Sequence, residues 1–282
     1  MQHRTQFRRW NSKLMCFLGG MPIKNLLCQC IVGSHLEAER LKAVHDVDIV
    51  TIMRTLDKRS LLDYWVRVGE IAQEMSTSTF DVEVEVRSGP LKPEVPVNGH
   101  VLVQLHLVTH DLSSWERVLH YPGCNRWTRR NFHIRETRLD ELLPVPRVST
   151  EAIHRDLCVA IENIESSTAY CRIHETSAES ITSIMSRVPL SDAQCIRLAL
   201  QAGIFGFENV TDPDMGGKRL HEKVAEIQDR FSTSIKRWRG IKRQLDEAWD
   251  IDRDEAREVK RDIIAMLGEL SEMTEGLRID EN

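Results

Sequence analysis

The stretch FDVEVEVRSG, residues 80–89, alternates acidic and apolar side chains with a period of two. Only an extended strand gives each set a face of its own, with Asp81, Glu83 and Glu85 on one side and Val82, Val84 and Val86 on the other. Candidate neighbours are the β-rich apolar runs at 26–33 and 46–53 and the segment HVLVQLHLVTH at 100–110, which follows a Pro-containing connection. Between the first two runs, HLEAERLKAV carries good helix formers, with Leu36, Leu41 and Val44 as its few large apolar positions, so strand, helix, strand is expected. From Leu61, apolar residues recur at 61, 64, 65, 68, 71, 72 and 75, the pattern of an amphipathic helix entered from LDKRS. Helices alternating with strands imply a mixed α/β layer, an α+β arrangement with a small mixed sheet.

Beyond about residue 150 the pattern changes to helix. STEAIHRDLCVAIENI spaces Ile153, Leu157, Ile161 and Ile164 helically, and SDAQCIRLALQAG joins a capping-box spacing (Ser191, Gln194) to a terminal Gly203, predicting a short helix and no further strands. Val224, Ile227, Phe231, Ile235, Trp238, Ile241, Leu245 and Trp249 then step by three or four, and the stripe resumes at Val259, Ile263, Met266, Leu270 and Met273. This predicts a long helical hairpin, its first arm roughly 48 Å if 218–249 is one helix. The aromatic stripe reads as a core seam, and the arm as a separate helical layer or a dimer contact. The expected division is 1–147, the α/β domain, and 148–282, a helical domain for acceptor binding or dimerisation.

A chain of 282 residues with 41% hydrophobic and 29% charged side chains can bury a sizeable core, and its net charge of −5 makes any polyanion site a local one. Seven scattered cysteines, with one C-x-C pair and no zinc-type spacing, suggest a reducing compartment, the cytoplasm. Near the start, LMCFLGGMPIKNLLCQCIVG is interrupted by Pro22 and Lys24, so neither a signal peptide nor a membrane anchor is expected.

Two small features carry the chemistry. Gly33 and Ser34 fall where a strand hands over to a helix, where glycine allows close approach and helix N–H groups face an anion such as a phosphate. Asp46 and Asp48, at i and i+2 on the next strand, project to one side about 7 Å apart, which suits a hard divalent cation. Joined in order, Val32-Gly33-Ser34, eleven residues, then Asp46-Val47-Asp48-Ile49, the stretch resembles the signature of the DNA polymerase beta-like nucleotidyltransferase superfamily. The resemblance covers roughly residues 26–90. It implies a small mixed sheet with helices, a Gly33–Ser34 turn that holds a nucleoside triphosphate, and Asp46 and Asp48 holding two Mg2+ ions, with Mn2+ as a substitute. It also implies a third carboxylate on a later strand: Glu83, because it is central, with Asp81 and Glu85 as rivals. Many members carry Gly or Thr a few residues after the Ser, where this chain has HLEAER. His45, beside Asp46, reads as a polar neighbour of the site or a surface histidine.

HYPGCNRWTRRNFHIR, 120–135, gathers His120, Arg126, Arg129, Arg130, His133 and Arg135 with Trp127 and Phe132, a mixture fit for a base, a triphosphate or an RNA acceptor, or simply an exposed basic loop. KRWRGIKR, 236–243, lies on the polar side of the last stripe, where charge is expected anyway. His106 and His110 have no partners at zinc spacing. The resulting expectation is an enzyme moving a nucleoside monophosphate from an NTP to a hydroxyl of RNA or tRNA, a protein or a small molecule, as in toxin–antitoxin or defence systems of this superfamily, without a membrane partner. The alternatives are a catalytically degenerate interaction module and a nucleotide second-messenger synthetase.

Overall fold

A computed structural model describes residues 2–76, 80, 82–87, 101–176, 181–212, 214–216, 218–248 and 251–280. The chain divides into two compact units, one from Met1–Arg117, Trp127–Pro144 and Cys171–Ser186, the other from Val118–Arg126, Val145–Tyr170 and Arg187–Asn282. Among the described residues no helix is long and apolar enough to cross a membrane.

In chain order the elements begin with α1 (Gln2–Gly20), β1 (Leu26–Val32), β2 (Asp46–Met53), α2 (Lys58–Ser76), β3 (Val82–Arg87) and β4 (Val101–Asp111). Next come α3 (Leu112–Val118), α4 (Pro122–Arg129), β5 (Phe132–Glu136) and α5 (Leu139–Leu142). Then follow α6 (Thr150–Ser166), β6 (Thr168–Thr176), β7 (Ile181–Pro189), α7 (Asp192–Thr211), α8 (Lys218–Ala248) and α9 (Arg253–Asp280).

The first unit is built on a mixed five-stranded sheet in the order β3-β4-β2-β1-β5, so the protein is of the mixed α/β kind. β1 is antiparallel to β2 and β5, whereas β2, β4 and β3 run parallel. Strand alternation fixes the faces. Ile31, Val47, Ile49, Met53, Val82, Val84, Val103, Leu105 and Leu107 form one core with Tyr64, Val68 and Met75 of α2 and Trp10, Leu14 and Leu18 of α1. Asp57 starts α2 by accepting from the Ser60 backbone N–H at 2.8 Å.

Three expectations are corrected. The segment 35–44 is not an α-helix but two short 3₁₀ turns, Ser34–Glu37 and Leu41–Ala43. Its inward positions His35, Ala38, Leu41 and Val44 recur every third residue, which matches i→i+3 bonds such as Ala38 N–H to the His35 carbonyl at 3.1 Å instead of a 3.6-residue stripe. Strands also continue past residue 150, since β6 and β7 form a separate two-stranded sheet. TAYCRIHET and ITSIMSRVP are rich in β-branched residues but interleave polar ones without a clean alternation.

The third correction concerns α7, which does not end at Gly203 but runs to Thr211. A Cβ on Gly203 would lie 3.1 Å from Ile263 and 3.2 Å from Trp238, so the glycine admits neighbouring side chains and does not cap. The Ser191–Gln194 capping box is present at its start.

The second unit's core joins Ile153, Leu157 and Ile164 of α6, Ile196, Leu200 and Val210 of α7, Trp238 and Leu245 of α8, and Val259, Ile263 and Leu270 of α9. Trp238 is a seam residue, only 2% exposed. Trp249, at the end of the expected stripe, lies outside the described residues.

Candidate functional site

On the sheet face opposite α1 and α2, the register assembles the polar residues. Val32 of β1 is opposite Asp48, so Gly33 leaves the sheet beside that carboxylate. Its φ of 81° is in the region glycine favours, and a Cβ built there would fall inside van der Waals contact of Asp48 Oδ2. The Gly-Ser turn and the second aspartate therefore meet, and only glycine leaves room for both. The four-residue 3₁₀ turn that follows, Ser34–Glu37, is too short to provide a helix N-terminus for an anion.

Across the parallel strands, Asp46 is opposite Gln104 and Asp48 opposite His106, while Gln104 is in turn opposite Glu85 of β3. Gln104 Nε2 donates to Glu85 Oε1 at 2.8 Å. His106 Nδ1 lies 2.7 Å from Asp48 Oδ1, with both side chains partly buried. Asp46 and Glu85 thus share a row with Gln104 between them. Glu83 is opposite Leu102, one pleat away, and exposed. Asp81 lies outside the described residues.

Behind the turn, His35 is 4% exposed and its Nε2 is 2.8 Å from Asn11 Oδ1 of α1, with the rings of Phe7 and Trp10 edge-on at 5.7 and 6.1 Å. Burial pushes its imidazole down to about 4, against an opposing pull from Asp46. His45 is buried, not a surface residue, and its carbonyl accepts from the Gln104 backbone N–H at 2.8 Å.

Three of these partners were missed from sequence. Gln104 and His106 lie far down the chain from the aspartates and meet them only through the β2–β4 register, although alternation in HVLVQLHLVTH already placed both on one face. Asn11 gave no sequence signal beyond lying on α1.

Asp46, Asp48 and Glu85 offer hard oxygen donors of the kind magnesium takes, with Asp48 packed against Gly33 and Glu85 two strands away from β2 on β3. Among the described residues, no three or more His, Cys, Asp or Glu converge as a ready metal-binding group. Asp48 and Glu85 are instead engaged by His106 and Gln104.

The basic cluster of 120–135 is divided between the two units. Arg126 belongs to the second unit, pairing with Glu208 at 3.1 Å, bonding to Asn209 and stacking on the Phe205 ring at 4.7 Å. Arg135 belongs to the first, donating to Gln29 Oε1 at 3.0 Å and to the Met21 carbonyl. In KRWRGIKR, Arg237, Arg239 and Lys242 reach Glu258, Glu208 and Asp246 at 3.1, 2.6 and 2.8 Å. Compared with known proteins, the chain matches no family model and no curated protein.

Proposed function

We propose that the first unit is a magnesium-dependent nucleotidyltransferase that moves a nucleoside monophosphate from an NTP to a hydroxyl acceptor. The observation that carries the reading is the contact of the Gly33 backbone with the Asp48 carboxylate, which sets the Gly-Ser turn directly against the Asp-x-Asp pair. Glu85, in the row of Asp46, supports the third-carboxylate role better than Glu83, which lies a pleat away.

In this reading the Gly33–Ser34 turn offers backbone N–H groups and the Ser34 hydroxyl to the triphosphate. Asp46, Asp48 and Glu85 would hold magnesium, which when bound lowers the pKa of the attacking hydroxyl and neutralises charge growing on the α-phosphorus oxygens and the pyrophosphate. His106 fixes the rotamer of Asp48, Gln104 that of Glu85, so neither carboxylate must be ordered when substrate arrives. In this reading the Glu85 carboxylate, the third acid, would hold metal or accept the acceptor's hydroxyl proton.

Purified protein incubated with magnesium, each labelled NTP in turn and whole-cell lysate tests this. Label should appear in one RNA, protein or small-molecule fraction and be lost with Asp46→Asn or Asp48→Asn while the fold survives. A soluble nucleotide product without added acceptor would identify a second-messenger synthetase. No metal-dependent binding or transfer with any NTP sinks the enzyme reading. It would favour a non-enzymatic interaction module, a reading to which the engagement of Asp48 and Glu85 by His106 and Gln104 lends weight.

A further inference from the structure

The second unit holds a nucleophile–base cluster unconnected with the nucleotide reading. Cys158 and His154 are one turn apart on α6, with Cys158 Sγ 3.6 Å from His154 Nε2 and exposed to solvent. The other ring nitrogen, Nδ1, is 3.0 Å from the backbone carbonyl of Ser271 on α9. A carbonyl only accepts, so that contact is a hydrogen bond in the tautomer with the proton on Nδ1, which leaves the Nε2 lone pair facing the thiol; the Ser271 hydroxyl also lies 3.2 Å from Nδ1. The buried Thr274 hydroxyl, 3.3 Å from Nδ1, helps to fix the ring plane. Ser271 also sets its hydroxyl 3.3 Å from Sγ, where it can donate to a thiolate. A nucleophile beside a base that a third group orients is the arrangement that activates cysteine.

We propose that Cys158 is a thiol-modification site that exchanges with low-molecular-weight disulfides of the glutathione type. Such exchange needs a proton acceptor and open access, and both are present. His154 Nε2 takes the Sγ proton and the thiolate attacks one sulfur of the disulfide. The S–S bond breaks and its electron pair leaves on the other sulfur, which takes up the proton. Cys158 ends oxidised in a mixed disulfide, and one half of the reagent is released as thiol. Cys16 on α1, also exposed among the described cysteines, is an internal reference.

The test uses the full chain, reduced and then mixed with oxidised glutathione at neutral pH, with adducts at each cysteine followed by peptide mass spectrometry. Cys158 should be modified about fivefold or more faster than Cys16, in keeping with activation of a thiol by a neighbouring base. His154→Gln should bring Cys158 down to the rate of Cys16, with an unchanged circular dichroism spectrum. Equal rates at the two cysteines in the wild-type chain, a comparison that requires no variant, overturn the proposal, as does a Cys158 rate unmoved by a folded His154→Gln.

Discussion

Gly33 carries two constraints at one position. Its φ of 81° disfavours any side chain, and its missing Cβ leaves room for Asp48. Gly33→Ala should lower stability by about 1–3 kcal/mol through backbone strain and displacement of the carboxylate, read as a lower denaturation midpoint. It should also abolish any NTP transfer. An alanine variant as stable as wild type would show that the close approach is not real.

His35 gives a pH dependence of a definite sign. Its folded value, about 4, is below the ordinary histidine value of 6.5, so the unfolded chain binds more protons between those limits. Stability from keeping this ring neutral is full above pH 6.5 and is lost as pH falls towards 4, by up to about 3 kcal/mol at roughly 1.4 kcal/mol per unit. Urea unfolding of wild type and His35→Asn at pH 7, 5.5 and 4.5 checks this: the stability gap between them should narrow as the pH falls. At this scale the sequence exposes the Gly-Ser turn and the Asp-x-Asp pair because they are local. It cannot separate Glu83 from Glu85, since their difference is the partner each has on β4, Leu102 or Gln104, and register depends on the assembled sheet.

Among elements, strict periods are legible and mixed ones are not. The alternating β3, the apolar β1 and β2 and the stripes of α2, α8 and α9 follow directly from spacing. The 34–45 connection misleads because its composition favours helix while its buried positions recur every third residue. Gly203 misleads because a glycine near the end of a helical pattern looks like a C-cap, whereas here it is a packing position. Gly206, one turn on, is the sharper case: a Cβ there would meet Leu267 at 2.7 Å and Leu157 at 2.9 Å, so α6 and α9 both close on it. Alanine gains about 1 kcal/mol of helix propensity, yet overpacking on two sides should leave Gly206→Ala destabilised by about 1–3 kcal/mol in thermal or chemical unfolding. A stabilised variant would mean that the leucine ends yield freely. Arg197 and Asp246 join α7 to α8 as a nearly buried ion pair at 2.7 Å. Asp246→Ala leaves the Arg197 charge inside and should cost about 3–5 kcal/mol, more than Arg239→Ala, whose side chain is half exposed.

At the scale of the whole molecule, the described residues form two apolar cores, and every proposed nucleotide residue belongs to the unit that holds the five-stranded sheet. A ligand that binds only the folded state stabilises it by about 2.7 kcal/mol at a hundredfold excess over its dissociation constant, and that free energy is felt by the cooperative unit that forms the site. Magnesium with the correct NTP should therefore slow amide hydrogen exchange in β1, β2 and β4, where Val32, Asp46, Asp48, Gln104 and His106 are hydrogen-bonded into one ladder. Protection in α6, α7 and α9 should stay unchanged, because their stability derives from the other core. Asp48→Asn should remove the protection in the sheet while leaving the exchange pattern of the helical unit intact. If magnesium and all four NTPs leave the sheet's exchange untouched at millimolar concentration, the Gly33–Asp48 contact is a structural turn and the nucleotide reading falls. If protection appears in the helical unit alone, the nucleotide site lies elsewhere than on this sheet face.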